Sequence, residues 1–122
     1  MSLIKRLQSF GFAFKGLKTL FQTQANARIH AVAMVSVTGL GFYFKISASE
    51  WCSVIFAFAL VLSAEALNTA VEFVVDLVSP QYNPLAGKAK DVAAAAVLIT
   101  AMGAAIVGLI IFLPKIVILL QK

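Results

Sequence analysis

Near the start of the chain, apolar side chains recur in steps of three and four: Leu3, Leu7, Phe10, Phe14, Leu17 and Phe21. Lys5, Arg6, Lys15 and Lys18 fill the remainder of the turns. This pattern predicts an amphipathic helix over residues 3–22, lying on a membrane surface with its Phe-rich face in the acyl boundary. Packing of that face on the chain's own core is the alternative. Gly11 and Gly16 weaken the helix or mark close approach to another element. Beyond Arg28 the alternation gives way to long apolar runs. Three segments, 29–49, 51–78 and 91–119, each reach the ~20 residues needed to cross a bilayer. Pro114 predicts a kink or an end late in the last of them. Residues 79–90 (SPQYNPLAGKAK) read as a loop, punctuated by Pro80, Pro84 and Gly87. The expected architecture is an all-α membrane protein of one domain, a surface helix followed by three transmembrane helices.

Composition supports that solvent. Of 122 residues, 61% are hydrophobic and only 12% charged, with a mean hydropathy of +0.97. So short a chain cannot hide that much apolar surface in a core of its own. The formal net charge of +5 does not imply nucleic acid, because no recognised nucleic-acid module is present. Instead the basic residues orient the chain. Lys5, Arg6, Lys15, Lys18 and Arg28 precede the first span and Lys88 and Lys90 the third, while Lys45, Lys115 and Lys122 lie on the other side. This bias predicts a multi-pass membrane protein with a cytoplasmic N-terminus and 79–90 segment. The N-terminus shows no cleavable leader pattern. The single Cys52 reads as a small packed side chain.

The second span carries the chemistry. Glu65, Asn68, Glu72 and Asp76 are spaced i, i+3, i+7, i+11, which puts them within roughly 80° of one another on a helix. Carboxylates at membrane depth are expensive and mark functional sites. Glu65 lies deepest, where desolvation favours a general base; a paired structural acid is the alternative. Glu72 suits a Mg²⁺ ligand, and Asn68 a carbonyl ligand or hydrogen-bond donor. Asp76, near the interface, reads equally as ligand or solvated carboxylate. Lys88 and Lys90 follow nearby, so carboxylates for a metal meet lysines for phosphate, as phosphoryl transfer from a nucleotide requires. Asp91 reads as the N-cap of the last span, with or without a functional role. His30 has no metal-spaced partner and reads as a surface or interface residue. Ala93–Ala96, Gly103, Ala104, Ala105 and Gly108 give the last span a small-residue face suited to close helix packing. No P-loop and no soluble protein-kinase triplet occurs.

The run from Glu65 through Asn68 and Glu72 to Asp76, followed by Pro84-Leu-Ala-Gly-Lys-Ala-Lys90-Asp91-Val-Ala-Ala-Ala-Ala-Val97, closely resembles the signature of the small bacterial membrane diacylglycerol kinase family, which includes the undecaprenol kinases. Phe14-Lys15-Gly16-Leu17 and Asn26-Ala27-Arg28-Ile29-His30 fit its N-terminal part. The resemblance implies MgATP-dependent phosphorylation of a membrane lipid hydroxyl by a homotrimer with composite active sites. By position it makes Glu65 the catalytic base, with Asn68 and Lys90 supporting catalysis, and Glu65 and Asn68 meeting the lipid. Glu72 becomes the metal ligand. Lys5, Phe12, Lys18, Asp76, Gly87, Lys90 and Asp91 fall at nucleotide-binding positions. Gln24 occupies a metal position where the family usually has glutamate, and a neutral amide supplies no charge to offset Mg²⁺. Asn83 stands where relatives often carry histidine. The stretch Val75 to Ala86 and the Gly108 to Lys115 ending look more like the undecaprenol than the diacylglycerol branch. Two other readings compete: a catalytically weak or silent homologue that binds lipid or nucleotide, favoured by Gln24, and a small ion-coupled transporter, against which Lys90, Asp91 and the basic surface helix argue.

Overall fold

A computed structural model describes residues 2–122 as helices α1 (Leu3–Thr23), α2 (Ala25–Tyr43), α3 (Ala48–Val78) and α4 (Pro84–Leu120). Each begins where local chemistry allows. Ser2 caps α1, its hydroxyl accepting from Lys5 N–H. Gln24 is extended (φ −114°, ψ 110°), ends α1 and starts α2, and its side chain makes no cap bond. Ser47 and Glu50 form a reciprocal capping box at α3, which satisfies two free backbone donors at once. Asn83 caps α4, accepting from Leu85 and Ala86 N–H, with Pro84 in the first turn.

These caps move several boundaries. α2 stops at Tyr43, and a turn through Lys45 at φ 52° replaces the helix expected to run on to residue 49. The loop is 79–83, not 79–90, because Asn83 and Pro84 start α4 earlier. Gly87, Lys88 and Lys90 are therefore helical, and Asp91 lies two turns inside α4 rather than at its N-cap. Pro114 does not end α4, which continues to Leu120. Gly11 and Gly16 mark no close approach, since a Cβ at either would meet nothing within 4 Å.

α3 and α4 pair as an antiparallel hairpin clamped at both ends, by Lys90 on Asp76 near the loop and by Lys115 Nζ on Glu50 Oε2 at 2.7 Å at the far end. α2 returns antiparallel to α3 beside the 44–47 turn. There a Cβ on Gly41 would lie 2.6 Å from the Trp51 ring, so only glycine permits this approach. A core of Ile46, Val54, Ile111 and Phe112, with Phe44 and Trp51 against it, fills that end. Further along, α2, α3 and α4 separate around a cavity of about 240 Å³, bordered by His30, Met34, Val61, Ala101 and Ala104 among others. α3 and α4 are long and apolar enough to cross a membrane; α2, with Arg28, His30, Ser36 and Thr38 in its 19 residues, falls outside that set. Large apolar side chains stay exposed along the helices, Leu60 at 59% and Ile110 at 69% among them. Buried or exposed, the hydroxyls of Ser36, Thr38, Thr69 and Thr100 donate to carbonyls one turn back. Such internal satisfaction is what a backbone and its side chains need where water is absent.

Candidate functional site

The acidic stripe of α3 forms as the spacing predicts, with burial falling steadily along it. Glu65 is 2% exposed, Asn68 and Glu72 are half-buried, and Asp76 is open. α3 turns Glu65 toward α2, where His30 Nδ1 lies 2.9 Å from Glu65 Oε1. The two atoms are within ion-pair reach but not aligned as a hydrogen bond, and neither has another partner. His30, expected at the surface or an interface, lies half-buried between α2 and α3, facing the most buried acid in the chain. Thr69, also buried, donates to the Glu65 carbonyl at 2.8 Å and is spent on the helix itself. One turn on, Asn68 Nδ2 donates to Glu72 Oε1 at 3.3 Å, while Asn68 Oδ1 is buried without a partner. Helical i, i+4 spacing brings these two groups together.

At the loop end, Lys90 donates to Asp76 Oδ1. Asp76, Gly87, Lys90, Tyr82 and Asn83 surround a pocket of about 160 Å³. Three of the residues assigned to nucleotide therefore converge. Asp91 is exposed and lies outside this pocket. Lys5, Phe12 and Lys18 are exposed along α1, and Phe12 carries Lys15 Nζ over its ring at 5.5 Å. Among the described residues no hydrogen bond or ion pair joins these three, or the Gln24 side chain, to the stripe. A separate groove between α1 and α3 runs beside the stripe, bordered by Gly16, Leu20, Thr69 and Phe73.

The donor set can be tested against a metal. Among the described residues no three His, Cys, Asp or Glu side chains gather as a self-sufficient cage. Mg²⁺ needs none, since it binds through one or two carboxylates and completes its shell with water and phosphate oxygens. The Glu72 carboxylate and the unpartnered Asn68 carbonyl oxygen fit that requirement for a Mg²⁺ arriving with a triphosphate. The reading from sequence missed His30 as a partner of Glu65. Its only signal was a polar residue that recurs within reach of an apolar helix face, too weak without the register of α2 on α3. It also missed the Ser47–Glu50 capping box, although the S-x-x-E spacing was there to be read.

All-helical build, membrane-length apolar helices and a carboxylate row aimed toward a lysine-lined pocket define a small helical membrane enzyme. A sequence profile described as prokaryotic diacylglycerol kinase matches residues 11–112. The undecaprenol kinase of Bacillus subtilis (strain 168) is 41% identical over 108 residues, 88% of each chain. A diacylglycerol kinase of Synechocystis is 42% identical over 109 residues, 88% of this chain and 62% of that longer one. The diacylglycerol kinase of Escherichia coli (strain K12) is 33% identical over 100 residues, 82% of each chain. The chain belongs to the prokaryotic diacylglycerol kinase family, a family of lipid kinases.

Proposed function

We propose that residues 1–122 act as one membrane domain that transfers the γ-phosphoryl group of ATP to the hydroxyl of a membrane lipid, undecaprenol in preference to diacylglycerol. The observation that carries this is the graded stripe. It sets a buried carboxyl against His30, which borders an apolar cavity, and an open carboxylate in a charged pocket at the other end of the same face. A lipid hydroxyl belongs at the first and a nucleotide at the second. Glu65 accepts the hydroxyl proton as the oxygen attacks, with Asn68 beside it. Lys90 holds phosphate, with Asp76, Gly87 and Asp91 around it and Lys5, Phe12 and Lys18 reaching in from α1. Glu72 and the Asn68 carbonyl hold Mg²⁺, with Gln24 at the remaining family position. Mg²⁺ bound with ATP supplies positive charge against the charge that builds on the transferring phosphoryl group.

α2 serves as a third span, α1 lies on the surface, and the N-terminus and the 79–90 segment face the cytoplasm. The basic bias supports this orientation. The sites are shared between three copies, so that Gln24 and the α1 residues of one copy serve the stripe of another; within one chain no hydrogen bond or ion pair joins them to it among the described residues. The undecaprenol preference is supported by the Val75 to Ala86 and Gly108 to Lys115 stretches and by the Bacillus subtilis relative. Identity alone does not separate the acceptors, because the Synechocystis relative is as similar and is a diacylglycerol kinase. Gln24 favours a second reading, a silent homologue that binds lipid or nucleotide without turnover; family membership lends no support to a transporter. Vesicles containing both lipids, labelled ATP and Mg²⁺ test all of this. Chromatography should show labelled undecaprenyl phosphate exceeding phosphatidate, and absence of both products would leave the silent homologue.

A further inference from the structure

Among the described residues Glu65 is the largest fully buried side chain, at 2% exposure, yet its Oε1 has no hydrogen-bond donor. Thr69 is occupied by a backbone carbonyl, and Glu72, two turns away, is occupied by Asn68. The Asn68 amide cannot accept a proton. A general base in this position receives a proton in every turnover and must lose it again before the next. Among the described residues the one basic side chain within 4.0 Å of the Glu65 carboxylate is His30, with Nδ1 2.9 Å away. The histidine is 24% exposed and borders the cavity between α2, α3 and α4, so it joins the sealed carboxyl to a more open space.

We propose that His30 is a positioning residue for Glu65 that also carries its proton away. The proposal rests on the reading of Glu65 as the base. In the step, the lipid oxygen forms a bond to the γ-phosphorus. The bond from that phosphorus to the bridging oxygen breaks, and ADP leaves with the electron pair. The hydroxyl proton moves to the Glu65 carboxylate, then to the His30 imidazole, and then to water. The imidazole suits the second transfer because one ring nitrogen can accept a proton while the other donates one.

The full chain in lipid vesicles tests this with His30→Gln and His30→Ala. Glutamine keeps an N–H for Glu65 but cannot relay a proton. His30→Gln should therefore lose kcat by about tenfold or more, with the KM values for ATP and lipid held within about twofold. Free imidazole should restore part of the activity of His30→Ala. A His30→Gln enzyme that keeps kcat within about twofold would overturn the relay, as would a loss confined to KM or a lack of rescue by imidazole. His30 is the single histidine of the chain, so ¹⁵N ring resonances report on it alone and need no turnover. Those resonances should move in Glu65→Gln, and unchanged spectra would overturn the contact itself. A parent chain that phosphorylates neither lipid sinks the lipid-kinase reading, while the resonance shift still decides whether His30 and Glu65 are paired.

Discussion

Glu65 and Gln24 pull the chemistry in opposite directions. Glu65 has the burial and the adjacent imidazole that suit a base. Glu65→Gln preserves shape and removes the proton acceptor, so phosphorylation should fall about 10²- to 10⁴-fold in a labelled-ATP assay while the helical circular dichroism stays unchanged. A mutant that keeps most of the parent rate would make Glu65 structural. In the metal site we propose, Gln24 brings an amide where a carboxylate would add charge. A carboxylate there adds negative potential for a cation in a site of low dielectric. Gln24→Glu should raise the rate and lower the Mg²⁺ concentration for half-maximal activity, read by titrating both forms in parallel. Because the added charge is costly without its cation, thermal unfolding of the mutant should also depend more steeply on Mg²⁺. No change in either would mean that residue 24 is remote from the metal.

Among the elements, the α2–α3 contact governs the site, because it alone sets His30 against Glu65. Its anchor is the approach of Gly41 to Trp51, whose ring also lies against Phe42 with centroids 5.0 Å apart. Gly41→Ala would place a methyl group 2.6 Å from that ring. Overpacking of this kind costs about 1–3 kcal/mol. We expect unfolding in detergent at a lower temperature, together with reduced activity as α2 shifts away from α3. Gly39→Ala, on the same helix, is the matching control, since nothing lies within 4 Å of a Cβ there; equal losses in both variants would refute a local role for Gly41. Helix limits show how local chemistry overrides hydropathy. The apolar run alone extends the first span past residue 44, but the αL turn at Lys45 and the Ser47 box end it. The 79–90 segment looks like loop through its prolines, yet Pro84 at the first helical position starts α4 rather than interrupting it.

For the whole molecule, the question is what covers the apolar surface. Leu60, Ile99, Met102 and Ile110 are more than half exposed in the single chain. Lipid covers much of this, but Gly103 and Ala105 are also open, and small residues on a membrane helix favour close approach of another helix. Within one chain no hydrogen bond or ion pair joins Gln24, Lys5, Phe12 or Lys18 to the stripe among the described residues, and the trimer we propose would complete the site. Chemical crosslinking in nanodiscs should give a ladder that ends at three. A monomer with full activity would exclude shared sites.

Periodicity along the chain was enough to place a helix over 3–22, long apolar helices after it, and four polar groups on one face with Glu65 the most buried. Those properties depend on spacing within a single helix, where 3.6 residues per turn decides which side chains are neighbours. The pattern of Glu65 through Lys90 and Asp91 was also enough to suggest the family, since it runs continuously along the sequence. Contacts between helices were not legible in this way. His30 meets Glu65 across 35 positions, Lys90 meets Asp76, and Lys115 meets Glu50 only because α2, α3 and α4 pack in one register. That register depends on side-chain volumes at the Gly41–Trp51 and Val54–Phe112 end and on the length of two turns. A sequence read one helix at a time contains the faces but not the angle at which they meet, and it is this angle that gives the buried acid its histidine.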